Sequence, residues 1–321
     1  MINKKSITRI IQILLALGIL TFLCLRIDLG KINIIISHTI PGYLCLAFLA
    51  ITCQIIVASY RWLGLLRLAG FHPPMWQCVG SFAAGTFFNT TLPGGFVGDI
   101  MRTWVTARNG VPKGIAAYTV ISDRILGIIG YTLLIMTLLL FSLLCISKAF
   151  YTLYIIVLSF CAILLTGFVV LGLIGPITNY MKIKPLLILL PVVNLSHMIG
   201  SIFKQPYKML TFFVINLIVH FTQITAVIMS AYALNTSISP QAAFIGIPIV
   251  LLLSAVPITP GNWGIRESTM VFVLGQFQVS AELALVISIL FGVISTLSNL
   301  PAAIWWFLHR IKTRKSNTYS Y

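Results

Sequence analysis

Charged residues are scarce in this sequence of 321 residues. Only 8% of the chain is Asp, Glu, Lys or Arg, where a soluble globular domain carries roughly 25%. The hydrophobic share is 59%, enough for at most about nine helices of the roughly 20 residues that cross a bilayer. This composition excludes a soluble enzyme and a nucleic-acid-binding domain. It predicts an all-α polytopic membrane protein.

Several chemical motifs are missing as well. The sequence contains no G-x-x-x-x-G-K-[ST] loop for nucleotide phosphates, no H-E-x-x-H and no D-x-D pair. Its six cysteines occur singly in apolar sequence, without a C-x-x-C spacing, and are predicted to be small buried hydrophobes. We therefore expect no metal, no cofactor and no catalytic residue that a motif would reveal.

Acidic residues are the rarest charged class, five against 21 Lys and Arg. Basic residues flank the first and last apolar runs at 4–9 and 310–315, so the positive-inside rule places both termini in the cytoplasm. An even number of crossings follows, within about six to eight spans. Charge-free windows predict spans at 10–25, 41–60, 125–146, 151–175, from 209 to about 233, and a last one ending at Trp305 and Trp306, with a cytoplasmic or interfacial segment at 182–208.

Two apolar regions are interrupted by helix-breaking residues. The first, 71–108, contains Pro93-Gly94-Gly95, and the second, 240–282, contains Pro260-Gly261. Irregular backbone survives at membrane depth only when protein encloses it or when it lines a water-filled cavity. Both regions are therefore predicted to be broken or re-entrant hairpins.

The two breaks belong to an internal repeat with a shift of 167 residues, the distance from Pro93 to Pro260. The same shift superimposes the predicted spans that surround them, which gives halves at about 41–146 and 209–308. The charge argument makes corresponding spans run in opposite directions, so the predicted repeat is inverted, as in many transporters.

Charged residues near both breaks are the candidate site. Each would cost roughly 2.5 to 3.5 kcal/mol inside a membrane if left unpaired. They either form local ion pairs, or they present arginine and helix N-termini to an anionic lipid headgroup. The candidate headgroup-binding residues are Pro93, Gly94, Gly95, Asp99, Arg102, Asp123, Arg124, Pro260, Gly261, Asn262, Arg266 and Glu267. Asp123 and Arg124 are expected to open the third span at the cytoplasmic interface, and Arg61, Arg67, Arg108 and Lys113 to face anionic lipid at the inner surface.

Two ordered motifs resemble a known family. Residues 92–102, followed by Val111-Pro112 and Ser122-Asp123-Arg124, resemble the first signature of the lysylphosphatidylglycerol synthase transmembrane region family. Residues 257–267 resemble its second signature, in which P-G-G-x-G-x-R-E is usual and Asn262 stands in place of glycine.

The resemblance implies the flippase domain of multiple peptide resistance proteins, which moves aminoacylated phosphatidylglycerol between leaflets. Those proteins carry a soluble aminoacyl-transferase domain after the membrane part, whereas this chain ends shortly after the last predicted span, so no lipid synthesis is expected. Stand-alone relatives are implicated in handling hopanoids, polyprenyl-linked sugars or other lipids, and an archaeal branch is described as glycosyltransferase-like.

Three functions stay open. The leading hypothesis is a lipid translocase of the bacterial inner membrane, with an anionic phospholipid or a polyprenyl-linked lipid as its partner. The second is a membrane-embedded transferase acting on a polyprenyl-phosphate lipid, with Asp99 or Glu267 as general base. The third is an accessory subunit of an envelope-lipid biosynthetic enzyme.

Overall fold

The structure is a computed structural model that describes residues 39–92, 95–142, 151–180, 190–255 and 259–316. The described residues form helices and helical turns joined by loops, with no strand among them. These elements are α1 (Pro41–Leu68), α2 (Met75–Thr91), α3 (Val97–Arg108), α4 (Lys113–Ser142), α5 (Tyr151–Tyr180), α6 (Leu190–Phe203), α7 (Pro206–Ala233), a π-helical turn (Ala242–Gly246) that continues into α8 (Ile247–Leu253), a 3₁₀ turn (Pro260–Asn262), α9 (Ile265–Gly275) and α10 (Ala281–Ser316).

Five of these helices, α1, α4, α5, α7 and α10, are long and apolar enough to cross a membrane. The protein is therefore a multi-pass helical membrane protein, as the composition predicts. The predicted first span at 10–25 lies outside the described residues. Proline at the first helical position opens both α1 and α7, where its missing N–H removes no helical hydrogen bond.

Both predicted hairpins are present, each built of two short helices. In the first, α2 ends at Thr91 and α3 begins at Val97. Gly85 and Gly98 bring these two helices together so closely that a Cβ at Gly98 would overlap the Gly85 carbonyl. In the second hairpin, α8 ends at Leu253 and α9 begins at Ile265.

The helices repeat in the same order along the chain. The helices of the first half begin at residues 41, 75, 97 and 113, and those of the second half at 206, 242, 265 and 281, a shift of 165 to 168 residues. This shift agrees with the 167 residues that separate the two Pro-Gly motifs. The pair α5 and α6 falls between the halves.

Corresponding helices α1 and α7 pack side by side and run antiparallel. At one end, the Ile40 N–H donates to the Ala233 carbonyl at 2.7 Å, and the Tyr43 and Tyr232 rings lie 5.6 Å apart. At the other end Arg61 contacts Asn216. Because equivalent helices point in opposite directions, the two halves are inverted relative to each other.

The first helix of each hairpin packs against the last helix of the other half: α2 against α10, and α8 against α4. This packing between the two halves brings the two breaks together. Gly261 lies directly against the end of α2, where a Cβ would overlap the Thr90 carbonyl. The two hairpins therefore meet where Gly261 contacts the end of α2.

Two predicted span boundaries are wrong, and both errors have the same cause. The second span was expected to end at Tyr60, but α1 continues to Leu68 and includes Arg61. The third was expected to begin at about Ile125 with Asp123 at the interface, but α4 begins at Lys113. Each of these predictions places the end of a span at a charged residue, whereas Arg61 and Asp123 are both buried and pair with each other.

The segment between the halves forms the short helix α6, which packs on α5. The Gly175 N–H donates to the Ser196 hydroxyl at 2.6 Å, and Gly200 lies against the Gly172 carbonyl. Residues 181–189 lie outside the described residues, so the interfacial position predicted for 182–208 stays a prediction.

The inverted halves predict that the bases of the two hairpins lie on opposite faces of the membrane. Asn109 follows α3 and Ser280 follows α9, and both residues are exposed. In a cysteine-free background, Asn109→Cys and Ser280→Cys should react with an impermeant maleimide from opposite sides of sealed vesicles. Labelling of both residues from the same side would contradict the inverted arrangement.

Candidate functional site

The first break carries five charged side chains from three helices. Arg61 comes from α1, Asp99 and Arg102 from α3, and Asp123 and Arg124 from α4. Three guanidinium groups thus face two carboxylates, which leaves a formal surplus of one positive charge. The sequence placed four of these residues in the candidate site and missed Arg61.

Asp123 is the centre of this cluster and is 2% exposed. One of its oxygens accepts from Arg61 Nε at 2.8 Å, and the other accepts from Arg102 Nη2 at 3.1 Å. Arg61 also donates to the side-chain oxygen of Asn216 on α7. A single carboxylate therefore ties α1, α3, α4 and α7 together, which a residue at the start of a span would not do.

Arg61 was expected to face anionic lipid at the inner surface, and this expectation is wrong. Its side chain is only 6% exposed, and Gly127 leaves room beside its guanidinium group. Arg67, Arg108 and Lys113, which shared that expectation, are exposed. The physical reason is the buried partner Asp123, which compensates the charge of Arg61 inside the helix bundle.

Arg102 is held between two aromatic rings. Its guanidinium carbon lies 4.3 Å from the centre of the Trp62 ring and 4.5 Å from that of Phe82. Gly85 leaves space for its stem, since a Cβ there would lie 2.6 Å from Arg102 Cγ. Arg102 Nε is buried without a hydrogen-bond partner among the described residues. The group is thus positioned rigidly while one of its donors stays unused.

The predicted pair between Asp99 and Arg102 is present, but it is the longest contact of the cluster at 4.0 Å. Asp99 pairs more closely with Arg124, a residue that the sequence places at the start of the third span. The Asn89 side-chain amide donates to the same carboxylate at 3.4 Å, and its oxygen accepts from the Gly98 N–H at 2.7 Å.

Arg124 is the most accessible arginine of the cluster, with its side chain 27% exposed. It donates to the Gly95 carbonyl at 3.2 Å, and its guanidinium carbon lies 5.0 Å from the centre of the half-exposed Phe96 ring. Arg124 therefore marks the open end of the first break. Pro93 and Gly94 lie outside the described residues.

The second break carries one buried ion pair. Arg266 donates to one oxygen of Glu267 through Nη2 at 2.7 Å and Nε at 3.1 Å. The Ser288 hydroxyl donates to the same oxygen at 3.0 Å, and the Gly264 N–H donates to the other at 2.6 Å. Glu267 is completely buried. This pair is neutral, and both carboxylate oxygens accept hydrogen bonds.

The backbone of the second break requires residues that tolerate positive φ. Gly261, Asn262 and Gly264 have φ values of 59°, 57° and 85°. Asparagine is among the few residues that adopt this left-handed conformation readily. Asn262 can therefore replace the glycine usual at that position, and its side chain also donates to the Ser254 carbonyl. Pro260 opens the 3₁₀ turn.

Asp99 and Glu267 occupy equivalent places in the two halves. Each is the third residue of the helix that follows its break, where a carboxylate interacts favourably with the positive end of the helix dipole. Their arginine partners differ in position: Asp99 pairs with Arg124 on α4, whereas Glu267 pairs with the preceding residue, Arg266. The two breaks are thus followed by a carboxylate at the same helical position, and they differ in net charge.

Two comparisons with known proteins bear on this arrangement. Residues 9–302 match the family described as the lysylphosphatidylglycerol synthase TM region. A UPF0104 membrane protein of Methanocaldococcus jannaschii is 30% identical over 129 residues, which are 39% of this chain. The matched part spans only 37% of the length of that curated relative.

Proposed function

We propose that this chain, which belongs to the lysylphosphatidylglycerol synthase transmembrane region family, is a lipid translocase of the bacterial cytoplasmic membrane. Its partner would be a membrane lipid with a phosphate-bearing headgroup, either an anionic phospholipid or a polyprenyl-linked lipid. Basic residues at both ends of the sequence favour termini in the cytoplasm.

The observation that carries this proposal is the surplus positive charge at the first break. Arg61, Arg102 and Arg124 face only Asp99 and Asp123. An uncompensated charge inside a membrane protein costs several kcal/mol unless water or a ligand stabilises it. A phosphate contributed by a lipid is a natural counter-ion, and planar guanidinium groups bind it with paired hydrogen bonds.

The accessible end of the cluster determines where the phosphate would bind. Arg124 is partly exposed beside Gly95, and the N-terminus of α3 adds the positive end of its dipole at the same place. Arg102 lies 4.0 Å from Asp99, the carboxylate that also pairs with Arg124. Its Nε makes no hydrogen bond among the described residues. We assign the headgroup to this end of the first break.

The second break would support the first rather than bind phosphate itself. Arg266 and Glu267 neutralise each other and hold α9 to Ser288 on α10. Gly261 lies directly against Thr90 at the end of α2. In a translocase built of inverted halves, each half can open toward one face of the membrane.

A transferase with Asp99 or Glu267 as general base has less support. A base needs a free lone pair within reach of the proton that it removes. Glu267 is completely buried and is paired with Arg266, out of reach of a substrate. Asp99 is engaged by Arg124 and Asn89. The accessory-subunit alternative, with an envelope-lipid enzyme as partner, has no specific observation in its favour.

Replacing Arg124 with glutamine should slow the exchange of a fluorescent phosphatidylglycerol between leaflets of proteoliposomes by roughly tenfold or more. The reason is that a hydrogen bond to a charged group contributes about 1.5–3 kcal/mol. Arg124→Lys should recover part of the rate, since lysine keeps the charge and loses the paired donors.

The matched control is Arg108→Gln. It removes an equal charge from α3, but Arg108 is exposed and its guanidinium group lies over Trp104, away from the break. This variant should exchange the lipid at the wild-type rate. An Arg124→Gln protein that also retained that rate would exclude Arg124 as a headgroup-binding residue.

A further inference from the structure

His220 is an ionisable residue at the middle of α7, one of the helices long enough to span the membrane. Its side chain is buried, with 1% of its surface exposed. Neither of its ring nitrogens has a hydrogen-bond partner among the described residues. Ionisable side chains at membrane depth are costly, and in transport proteins they commonly belong to ion pathways and proton relays. This imidazole therefore requires an explanation beyond packing.

The neighbouring helix α4 leaves room for the imidazole. A Cβ at Gly130 would lie 2.5 Å from His220 Nε2 and 2.8 Å from Asn216 Cβ. The adjacent residue, Tyr131, stacks its ring on the imidazole with the ring centres 3.6 Å apart. The side chain of His220 is thus held in place by its neighbours, while both of its nitrogens stay uncommitted.

Asn216 connects His220 to the charged cluster of the first break. It precedes His220 by four residues, which places the two side chains on the same face of α7. The Asn216 side-chain oxygen accepts from Arg61, which pairs with Asp123. Asp123 pairs in turn with Arg102. Polar contacts therefore run without interruption from the helical turn beside His220 to the arginines of the break.

Polar groups also lie next to the imidazole on the side away from that cluster. The Tyr131 hydroxyl donates to the Gln223 side-chain oxygen, and Gln223 is only partly buried. The Gln223 side chain and the Gly127 carbonyl lie close to the His220 ring, without the geometry of a hydrogen bond. A protonated imidazole carries two N–H donors, and these groups provide acceptors for them. The surroundings can therefore hold the protonated ring.

Arg61 and Tyr131 are the titratable groups that face His220. Arg61 acts on the imidazole as a like charge from α1, and Tyr131 contacts it from α4. The other packed helices add none at this place among the described side chains. His197 of α6 lies against α5, Glu282 lies in the first turn of α10, and α8 has no titratable residue. A proton on His220 therefore meets positive charge unless an anion is nearby.

The surplus charge of the first break makes proton binding and phosphate binding depend on each other. Three arginines already face two carboxylates there, so a proton on His220 would raise the surplus from one positive charge to two. A phosphate beside Arg124 supplies the missing negative charge and lowers the cost of the proton. By linkage, the proton must then increase the affinity for the phosphate by the same factor.

We infer that His220 is a proton-binding site, and that it takes up a proton when a phosphate-bearing lipid binds at the first break. The inference rests on the proposed function, because the lipid supplies the phosphate. A proton and a singly charged phosphodiester are neutral together, so the membrane potential does not oppose their joint movement. The translocase would thus be coupled to protons, and a proton gradient could drive the lipid in one direction.

Calorimetry tests the uptake of this proton. The full chain in detergent is titrated with dioctanoyl phosphatidylglycerol in two buffers of different ionisation enthalpy, because the difference in heat gives the number of protons bound with the lipid. We expect proton uptake at pH 5. We also expect an affinity about tenfold higher at pH 5 than at pH 7.5, a usual size for coupling between two sites.

Histidine variants identify the group that takes up the proton. His220→Gln should lose both the uptake and the pH dependence, and its melting temperature checks that it is folded. His220→Asn gives the same test with a smaller side chain beside Gly130. The matched control His197→Gln removes a histidine from α6 and should keep both properties. These variants also exclude Asp99, a carboxylate next to the proposed phosphate that can itself take up a proton in acid.

Lipid binding without proton uptake would overturn the inference, as would uptake that both His220 variants retain. Either result leaves the proposed function in place, because the lipid still binds. Absence of lipid binding at both pH values would refute the proposed function and the coupling together.

Two further ligands separate the parts of the lipid. Dioctanoylglycerol lacks the phosphate and glycerol phosphate lacks the acyl chains, so neither should cause proton uptake at the same concentration. Uptake with dioctanoylglycerol would overturn the coupling to phosphate. Equal uptake with glycerol phosphate would overturn the lipid as the source of that phosphate.

Discussion

Replacing Asp123 with alanine is expected to lower the free energy of unfolding by about 3–5 kcal/mol, the usual cost of breaking a buried ion pair. Its removal leaves Arg61 and Arg102 buried with no carboxylate between them. It also removes the ion pairs that join α1 and α3 to α4. We expect a strongly reduced yield and a lower melting temperature in detergent, measured by intrinsic fluorescence and by the fraction of monodisperse protein after heating.

The control for this experiment is Glu282→Ala, which removes a carboxylate from the first turn of α10. Glu282 is only partly buried, so its loss should cost less than about 1 kcal/mol, the typical scale of a charge near a helix end. Asp123→Asn keeps the shape of the side chain and part of its hydrogen bonding. The stability of this variant should therefore lie between those of Asp123→Ala and Glu282→Ala. An Asp123→Ala protein as stable as the wild type would show that the arginines find other partners.

Replacing Arg266 with alanine is expected to cost a similar amount, about 3–5 kcal/mol, because Glu267 is left buried beside Ser288 without its cation. The double variant Arg266→Ala with Glu267→Ala should regain most of this stability. Recovery should be incomplete by about 1 kcal/mol, since Glu267 also caps α9 through the Gly264 N–H.

Lipid exchange by the double variant separates two roles for this pair. A structural pair predicts that exchange returns together with the melting temperature, which is the result we expect from a neutral, buried ion pair. A stable double variant that exchanges no lipid would instead mean that the headgroup contacts the second break as well. Melting temperature and exchange are therefore measured on the same preparations.

The breaks and the repeat were predictable because they depend on local chemistry. Adjacent proline and glycine disfavour a continuous helix, so Pro93-Gly94-Gly95 and Pro260-Gly261 identified both hairpins, whereas the single prolines Pro176 and Pro301 lie inside helices. The acids that follow them, Asp99 and Glu267, are placed by the helix dipole, which is also a local property. Neither inference required knowledge of which helices are neighbours.

The ion pairs were harder to predict because they join residues far apart in the sequence. Arg61 and Asp123 are 62 positions apart, and each alone signals the end of a span. Only the packing of α1 against α4 turns these two signals into one buried pair. Asn216 and Ser288 were missed for a different reason, since an isolated polar residue in an apolar helix carries no signal of its partner.

The backbone contact between Gly261 and Thr90 has a mechanical consequence. Because the backbone of Gly261 contacts that of Thr90 directly, displacement of one hairpin removes the surface on which the other rests. In the proposed translocase, opening toward one leaflet and closing toward the other would then be a single concerted movement. A molecule that moves in this way avoids a continuous water path across the membrane without a separate gate on each side.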